Sequence, residues 1–171
     1  MQEKSPSDSL TTLTDLVLPG ETNPLNNLFG GELLARIDRA ASITARRHSR
    51  RICVTASVNH VAFNRAIPLG AVVTIESKVS RTFTSSMEIV IDVWTEDRES
   101  GIKNSAGTAI YTFVAVDDTG NPVPVPPVIP QTDEEKNRFD AALRRKQLSL
   151  ILAGKMKPSD ATELKALFAG E

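Results

Sequence analysis

Hydrophobic positions along the chain follow one helical period and then four stretches of strand-like alternation. Between Glu32 and His48, apolar and small residues recur at three- and four-residue steps, which predicts an amphipathic helix. From Ile52 onwards apolar and polar residues alternate, which predicts strands because successive strand side chains point to opposite faces. A Thr-, Val- and Leu-rich run before Pro19 predicts a first short strand. The four alternating stretches lie at 52–63, 71–81, 87–94 and 103–116.

Short turns between the alternating stretches predict an antiparallel sheet. One long helix precedes the four strands and has to cover their apolar face, so the fold class is α+β. The contact side of that helix is rich in Ala and Gly, which lets it lie close to the strands. We therefore predict one domain over residues 10–121, in which an antiparallel sheet of five to six strands wraps around one central helix.

The flanking segments have different compositions. Residues 1–9 are polar and are expected to be disordered. Residues 122–131 are proline-rich and predict an extended connector. Thr132, with Glu135 three residues later, forms a capping-box pattern that starts a C-terminal helical extension over 132–171. That extension carries a basic helix and then a short amphipathic helix.

Composition excludes several function classes. The chain has 171 residues and a net charge of −1, which gives no general attraction to nucleic acid. No run is long enough to cross a membrane, and the N-terminus lacks a signal-peptide core, so a cytoplasmic protein is expected. The single cysteine excludes an internal disulfide, and only two histidines are present. Neither a metal nor a separate cofactor is expected.

Two features of the central helix could carry chemistry. Gly30 and Gly31 lead the helix and leave its first backbone N–H groups uncovered, where they could hold a developing oxyanion. Asp38 lies at the border of the apolar stripe, away from the side shared by Glu32, Arg36 and the helix's other arginines. A carboxylate at that border could act as a general base, or it could be an ordinary boundary residue paired with a cation.

For the other candidate residues, a structural interpretation competes with the functional one. The strand positions of His60 and Cys53 favour structural roles over catalytic ones. The sequence has no Gly-x-Ser-x-Gly elbow, phosphate-binding loop or dinucleotide fingerprint. Arginines cluster at the end of the helix, where they either form a solvated helix end or contact a phosphate. These arginines are Arg46, Arg47, Arg50 and Arg51.

The order of strand, Gly-Gly loop, Asp-bearing helix and four strands resembles the hotdog-fold acyl-CoA thioesterases of the acyl-CoA hydrolase type. The resemblance covers about residues 10–150, including the proline connector and the basic helix. Four segments carry it: Asn23-Pro24-Leu25-Asn26-Asn27-Leu28-Phe29-Gly30-Gly31, Ile37-Asp38, Asn64-Arg65-Ala66-Ile67-Pro68-Leu69-Gly70 and Thr112-Phe113-Val114-Ala115-Val116-Asp117.

The resemblance implies hydrolysis of acyl-CoA at a site shared between two subunits. Asp38 would be the general base or nucleophile, Asn27 of the neighbouring subunit would orient the water or the carbonyl, and Gly30 and Gly31 would form the oxyanion hole. The coenzyme A is part of the substrate, so no cofactor is implied. Members assemble as dimers, often combined into trimers of dimers. Substrate contacts are expected from Phe29, Asn59, Arg81, Thr84, Ser85 and Ser86.

Two alternative functions remain open on the same fold. Hydration or dehydration of an acyl thioester usually needs a catalytic histidine, and neither His48 nor His60 lies in such a motif. A non-catalytic acyl-CoA-binding sensor or assembly module is the alternative of another class. A sensor that reads DNA would need a helix-turn-helix, which residues 1–9 are too few to supply.

Overall fold

The computed structural model describes residues 1–169, and the last two residues of the predicted C-terminal extension, 170–171, lie outside the described part. Within residues 1–169 the chain forms five strands and three α-helices. In chain order they are β1 (Thr11–Leu16), α1 (Gly30–Ser49), β2 (Ile52–Phe63), β3 (Val72–Thr82), β4 (Ser86–Glu96), β5 (Lys103–Val116), α2 (Asp133–Leu152) and α3 (Thr162–Ala166).

The predicted α+β architecture is confirmed. The strands form one antiparallel sheet in the order β1-β3-β4-β5-β2, and α1 contacts all five of them. Four strands match the predicted alternating stretches to within two residues at each end. The first strand is shorter than the Thr-, Val- and Leu-rich run because the chain turns away at Pro19–Glu21, a short 3-10 helix.

The core lies between α1 and the sheet. On β4, Ile89 and Ile91 face α1 and are fully buried. The helix meets them with alanines: Ala40, Ala41 and Ala45 have no exposed surface. A stripe of methyl groups lets the helix backbone lie close to the strands, so α1 is held along its length rather than at its ends.

The opposite face of the sheet carries α2. The alternate residues of β4 point that way, and Glu88 accepts two hydrogen bonds from the Arg145 guanidinium at 2.9 and 2.7 Å. Ser80 donates to the same carboxylate at 2.6 Å, and Arg138 pairs with Asp92 at 2.9 Å. A planar guanidinium facing a carboxylate through two bonds fixes both distance and orientation, so these pairs set where α2 lies.

Strand β2 is an edge strand with little cover on either face. Its neighbour in the sheet is β5, whose backbone approaches closely at Gly107, where a Cβ would stand 2.5 Å from the Ala62 carbonyl oxygen. The other edge of β2 has no strand partner within residues 1–169. Its exposed apolar side chains are Ile52, Val54, Val58 and Phe63, each about half exposed.

Residues 1–9 are not disordered as expected. Residues Pro6–Ser9 form a 3-10 helix, in which the Ser5 N–H donates to Asp8 at 2.7 Å. Ser9 is buried, and its hydroxyl accepts the Val79 N–H at 3.0 Å beside a register shift between β3 and β4. The segment is ordered because it supplies an acceptor that the strand lacks. A Ser-x-x-Asp turn signal in the sequence could have indicated this.

The proline-rich connector also packs into the fold. Lys4 pairs with it through backbone bonds at 3.0 and 2.8 Å, and Val125 and Val128 are buried. The Pro126 carbonyl oxygen lies 2.8 Å from Nε2 of the fully buried His48, so this ring nitrogen donates. The connector thus joins the N-terminal segment to α1. No helix among the described residues is long and apolar enough to span a membrane.

His48 should make stability depend on pH. Burial lowers its pKa from the ordinary 6.5, and Lys4 lowers it further, against the bond to Pro126 and the charge of Asp8. Below pH 6.5 the unfolded chain therefore binds a proton that the folded chain resists. Denaturant unfolding should show a stabilising contribution fully present above pH 6.5 and lost as the pH falls toward the lowered value.

His48→Gln should flatten this dependence in the range just below pH 6.5, whereas His60→Gln at an exposed position should keep it. Carboxylates with lowered pKa values, such as Glu21 and Asp117, lose their contributions below their ordinary 4.5 and 3.8, in a separate window. If the unfolding free energy of His48→Gln depended on pH as steeply as that of the wild type, His48 would not be the source of the dependence.

Candidate active site

The first turn of α1 presents free backbone donors. Phe29 is the N-cap residue and has no side chain that can cap the helix. Its carbonyl oxygen accepts the N–H groups of Glu32 and Leu33 at 3.0 and 3.1 Å. The N–H groups of Gly30 and Gly31 have no acceptor among residues 1–169 and carry the partial positive charge of the helix N-terminus. This geometry suits an oxyanion.

The loop before α1 is shaped by Asn23. Its side-chain oxygen accepts the backbone N–H groups of Leu25 at 3.0 Å and Asn27 at 3.2 Å. Asn26 takes a left-handed conformation with φ of 56°, which asparagine tolerates well. With its oxygen engaged, the Asn23 amide keeps its two N–H donors for another acceptor.

An ion pair anchors this loop to α1. Arg36, 5% exposed, donates to Glu21 at 2.7 Å and to the Leu16 carbonyl at 3.1 Å. Bonds from the Leu18 N–H and from Arg36 lower the pKa of Glu21. The helical period placed Arg36 with the exposed charges. It lies buried instead because the loop folds back over the helix and covers its side chain.

A cavity of about 350 Å³ opens at the N-terminus of α1. Asn23, Asn27 and Gly30 line one side of it, and Phe63 and Arg65 line the other. The structure thus brings the predicted Asn27 and Gly30 together and adds Asn23, Phe63 and Arg65. Phe29 does not line this cavity, and the residue is 55% exposed.

Among residues 1–169, Asp38 has one side-chain partner, Thr55 on β2, whose hydroxyl donates to the carboxylate at 2.9 Å. Thr55 pairs with Phe113, and both side chains point to the α1 side of the sheet. Sequence reasoning missed Thr55. The available signal was a hydroxyl on the same strand face as Cys53, directed toward the helix that bears Asp38.

Asp38 does not reach the cavity of its own chain. It is eight residues after Gly30 in α1, a rise of about 12 Å along the helix. One chain therefore places the carboxylate and the free N–H donors apart. Burial raises the pKa of Tyr111, and the Asp38 carboxylate raises it further, so the tyrosine hydroxyl lies within the field of this carboxylate.

The predicted coenzyme A contacts are only partly brought together. Asn59, Ser85 and Ser86 line a second cavity of about 340 Å³ between the sheet and α2, which Arg145 and Lys146 also line. Thr84 is exposed and outside it, although its carbonyl oxygen accepts the Val125 N–H at 3.0 Å.

Arg81 is also outside this cavity. Its guanidinium carbon lies 3.9 Å from the Phe139 ring centroid and 5.9 Å from that of Phe83, and Nη1 donates to the Phe139 carbonyl at 3.0 Å. Burial lowers its pKa. The side chain is thus packed against α2 rather than open to a ligand.

Metal-ligating residues do not cluster in the described part of the chain: no group of three or more His, Cys, Asp or Glu is placed to hold an ion within residues 1–169. The site is built from backbone donors, one amide-bearing loop and one carboxylate with its hydroxyl partner.

The chain is similar to known proteins over most of its length. The thioesterase superfamily model matches residues 25–102. The uncharacterized acyl-CoA thioester hydrolase YkhA of Bacillus subtilis (strain 168) is 44% identical over 138 residues, which are 81% of this chain and 80% of that protein.

Two solved structures are also similar to this chain. A hexameric acyl-CoA thioesterase in its apo form has a TM-score of 0.86 at 38% identity, over 90% of this chain and 98% of that one. An acyl-CoA hydrolase from Staphylococcus aureus, in complex with butyryl coenzyme A and coenzyme A, has a TM-score of 0.83 at 36% identity, over 96% and 99%.

Variants of the Staphylococcus aureus hydrolase have also been solved. They replace with alanine an asparagine, an aspartate 15 residues after it, and a threonine 17 residues after that. Identity, coverage and fold together show that this chain belongs to the thioesterase superfamily, among the hotdog-fold acyl-CoA thioester hydrolases.

Proposed function

We propose that this chain hydrolyses acyl-CoA thioesters to a carboxylic acid and coenzyme A. The observation that carries the proposal is the Asp38 carboxylate, held by Thr55 on an open edge strand, together with the uncovered N–H groups at the start of α1. The names of the relatives support it. Hydrolysis transfers no electrons to an acceptor, so it needs no redox cofactor.

The site we propose lies between two subunits paired through their β2 edges. An uncovered edge strand presents unpaired backbone groups and is a ready template for a second strand. Pairing two copies of β2 antiparallel across a two-fold axis keeps both α1 helices on one face of the joined sheet. It brings the end of one β2, beside Gly30, toward the start of the other, beside Thr55 and Asp38.

The residue spacing refines the choice of asparagine. Asn23, Asp38 and Thr55 are 15 and 17 residues apart, as are the three residues replaced in the Staphylococcus aureus variants. The side chain of Asn23 is also held in place by the two backbone N–H groups that it accepts, whereas Asn27 is the asparagine that the resemblance implies. Both asparagines line the cavity, and we propose Asn23 as the one that holds the carbonyl or the water.

In the proposed reaction, Asp38 takes a proton from a water molecule oriented by Thr55. The resulting hydroxide adds to the thioester carbonyl carbon. The carbonyl oxygen becomes an oxyanion, which the Gly30 and Gly31 N–H groups of the partner subunit hold. The oxyanion then collapses and the C–S bond breaks. The electron pair of the C–S bond leaves with the coenzyme A sulfur, which takes up the proton that Asp38 removed from the water.

Alanine variants should separate the roles. Asp38→Ala should lower kcat roughly 100-fold or more, the usual contribution of a general base. Asn23→Ala should lower kcat by a similar factor, and Asn27→Ala by less than tenfold. Release of coenzyme A from acyl-CoAs of graded chain length, followed with a thiol reagent, measures all three.

Asp133→Ala, which removes a fully exposed carboxylate on α2 that lines none of these cavities, is the matched control and should keep wild-type rates. Full activity in Asp38→Ala would refute the mechanism. Activity lost in Asn27→Ala and kept in Asn23→Ala would favour Asn27, the asparagine that the resemblance implies. If the wild type binds acyl-CoA without releasing coenzyme A, the sensor function is favoured.

Mixed assemblies test whether the site is shared. Asp38→Ala and Asn23→Ala subunits are each expected to be inactive alone. A dimer with one of each would hold one site with both residues and one with neither, so refolded mixtures should regain part of the wild-type rate. Mixed dimers of demonstrated composition that stay at the residual rate would place both residues in one subunit's site.

The single tyrosine can report the charge of Asp38, which must be ionised to act as a base. Asp38→Asn should lower the pKa of Tyr111, because it removes the carboxylate that disfavours tyrosinate. Ultraviolet titration of tyrosinate measures the shift, with circular dichroism to exclude alkaline unfolding. Asp118→Asn should leave the titration unchanged, and an unshifted curve in Asp38→Asn would contradict the assignment.

A further inference from the structure

A third cavity lies at the opposite end of α1 from Gly30. It is an open groove of about 650 Å³, formed where α1 ends and β2 begins, and we call it the arginine groove. One wall carries Arg46, Arg50 and Arg51, and the other carries Asp117 and Asp118 at the end of β5. None of the residues expected to contact coenzyme A lies in it.

The three arginines of the groove are uncommitted. Within residues 1–169 none of them has a carboxylate within salt-bridge distance or a side-chain hydrogen bond. Their neighbour Arg47 differs, because its guanidinium donates to the Leu10 carbonyl and to Thr11. The basic cluster seen in the sequence thus divides into one structural residue and three that face the groove.

Acidic residues do not cancel this charge. The Asp117 carboxylate accepts the N–H groups of Thr119 and Asn121, both at 2.9 Å, and closes the turn after β5. Asp118 is exposed. Three guanidinium groups against two carboxylates leave the groove net positive, and Arg50 ends α1 in a left-handed conformation with φ of 57°.

The partial negative charge at the end of α1 does not face the groove uncompensated. The last carbonyl groups of a helix carry a partial negative charge. Here the Lys4 ammonium group donates to the carbonyl oxygens of Arg47 and His48, which offsets that charge. An anion in the groove would therefore meet guanidinium groups rather than bare carbonyl oxygens.

The proposed pairing of two subunits joins this groove to the catalytic cavity. Strand β2 has twelve residues, and a two-fold pairing that uses all of them sets Ile52 opposite Phe63 of the partner subunit. Ile52 lines the arginine groove, and Phe63 lines the cavity at the N-terminus of α1. The groove of one subunit then continues into the cavity of the other.

We propose that Arg46, Arg50 and Arg51 bind the phosphate groups of coenzyme A while its thioester lies in the partner subunit's cavity. Helical rise sets Arg46 about 12 Å and Arg50 about 18 Å from Asp38 along α1, a separation suited to the extended pantetheine arm. Guanidinium groups match phosphate oxygens through paired hydrogen bonds. This inference rests on the proposed function and names the nucleotide-binding residues of that site.

Comparing two substrates tests the proposal. The variant Arg46→Gln/Arg50→Asn/Arg51→Gln removes the charges, with Asn at 50 because it tolerates a left-handed backbone. With acyl-CoA its KM should rise roughly tenfold to a hundredfold while kcat stays near wild type. With the matching acyl-pantetheine thioester, which lacks the nucleotide, both constants should equal those of the wild type.

Control variants sharpen the result. Arg39→Gln/Arg98→Gln, at exposed positions outside the groove, should leave KM for acyl-CoA unchanged. Raising the ionic strength should increase KM for acyl-CoA in the wild type and much less in the triple variant. An unchanged KM in the triple variant, an equal rise with both substrates, or a rise confined to Arg65→Gln would overturn the proposal.

Failure of the proposed function would be seen separately. If the wild type hydrolyses neither thioester, calorimetry with coenzyme A alone still tests the groove. Binding that is weakened tenfold or more in the triple variant and kept in the control supports the phosphate contacts without catalysis. Binding equal in both variants refutes them.

Discussion

The close packing of α1 against the sheet is the constraint on which the rest of the structure depends. Ala40, Ala41 and Ala45 are fully buried, so the helix backbone lies directly over the strands. A larger side chain at any of them would push the helix outward, which costs about 1–3 kcal/mol in a well-packed core. The same displacement would separate Asp38 from Thr55, since their bond spans the helix and the edge strand.

Packing on the other face makes α2 part of the same unit. Glu88 is 3% exposed, and its charge is tolerated only because Arg145 and Ser80 bond to it. Losing one partner of such a buried pair typically costs about 3–5 kcal/mol, so the arginine is required wherever the glutamate is kept. Arg81, packed between Phe83 and Phe139, fixes the same helix near its start. These contacts explain why Arg81 serves packing rather than an open ligand site.

Most of the fold could be predicted from the sequence, because strands and helix have different periods and the turns between them are short. Asp38, the proposed catalytic residue, stood out as a charge away from the other charged residues of its helix. Thr55 and Arg36 were missed because their roles depend on which segment covers them. Helical period alone could not show that the loop bearing Glu21 folds over Arg36, or that a strand hydroxyl meets Asp38. The order of residues 1–9 was missed for the same reason: Ser9 satisfies an N–H on a strand 70 residues away.

The sequence pattern could not show that β2 is an exposed edge strand. Apolar and polar residues alternate in the same way whether a strand pairs within its own chain or with a second copy. This ambiguity bears directly on function. One α1 helix carries free N–H donors at its start and the Asp38 carboxylate about 12 Å along its axis, too far apart to act on one carbonyl group. In the proposed dimer, a two-fold axis at the β2 edge would reverse the second helix, so that each helix supplies the group that the other lacks at its site. On the proposed arrangement, association through β2 is therefore part of the catalytic machinery.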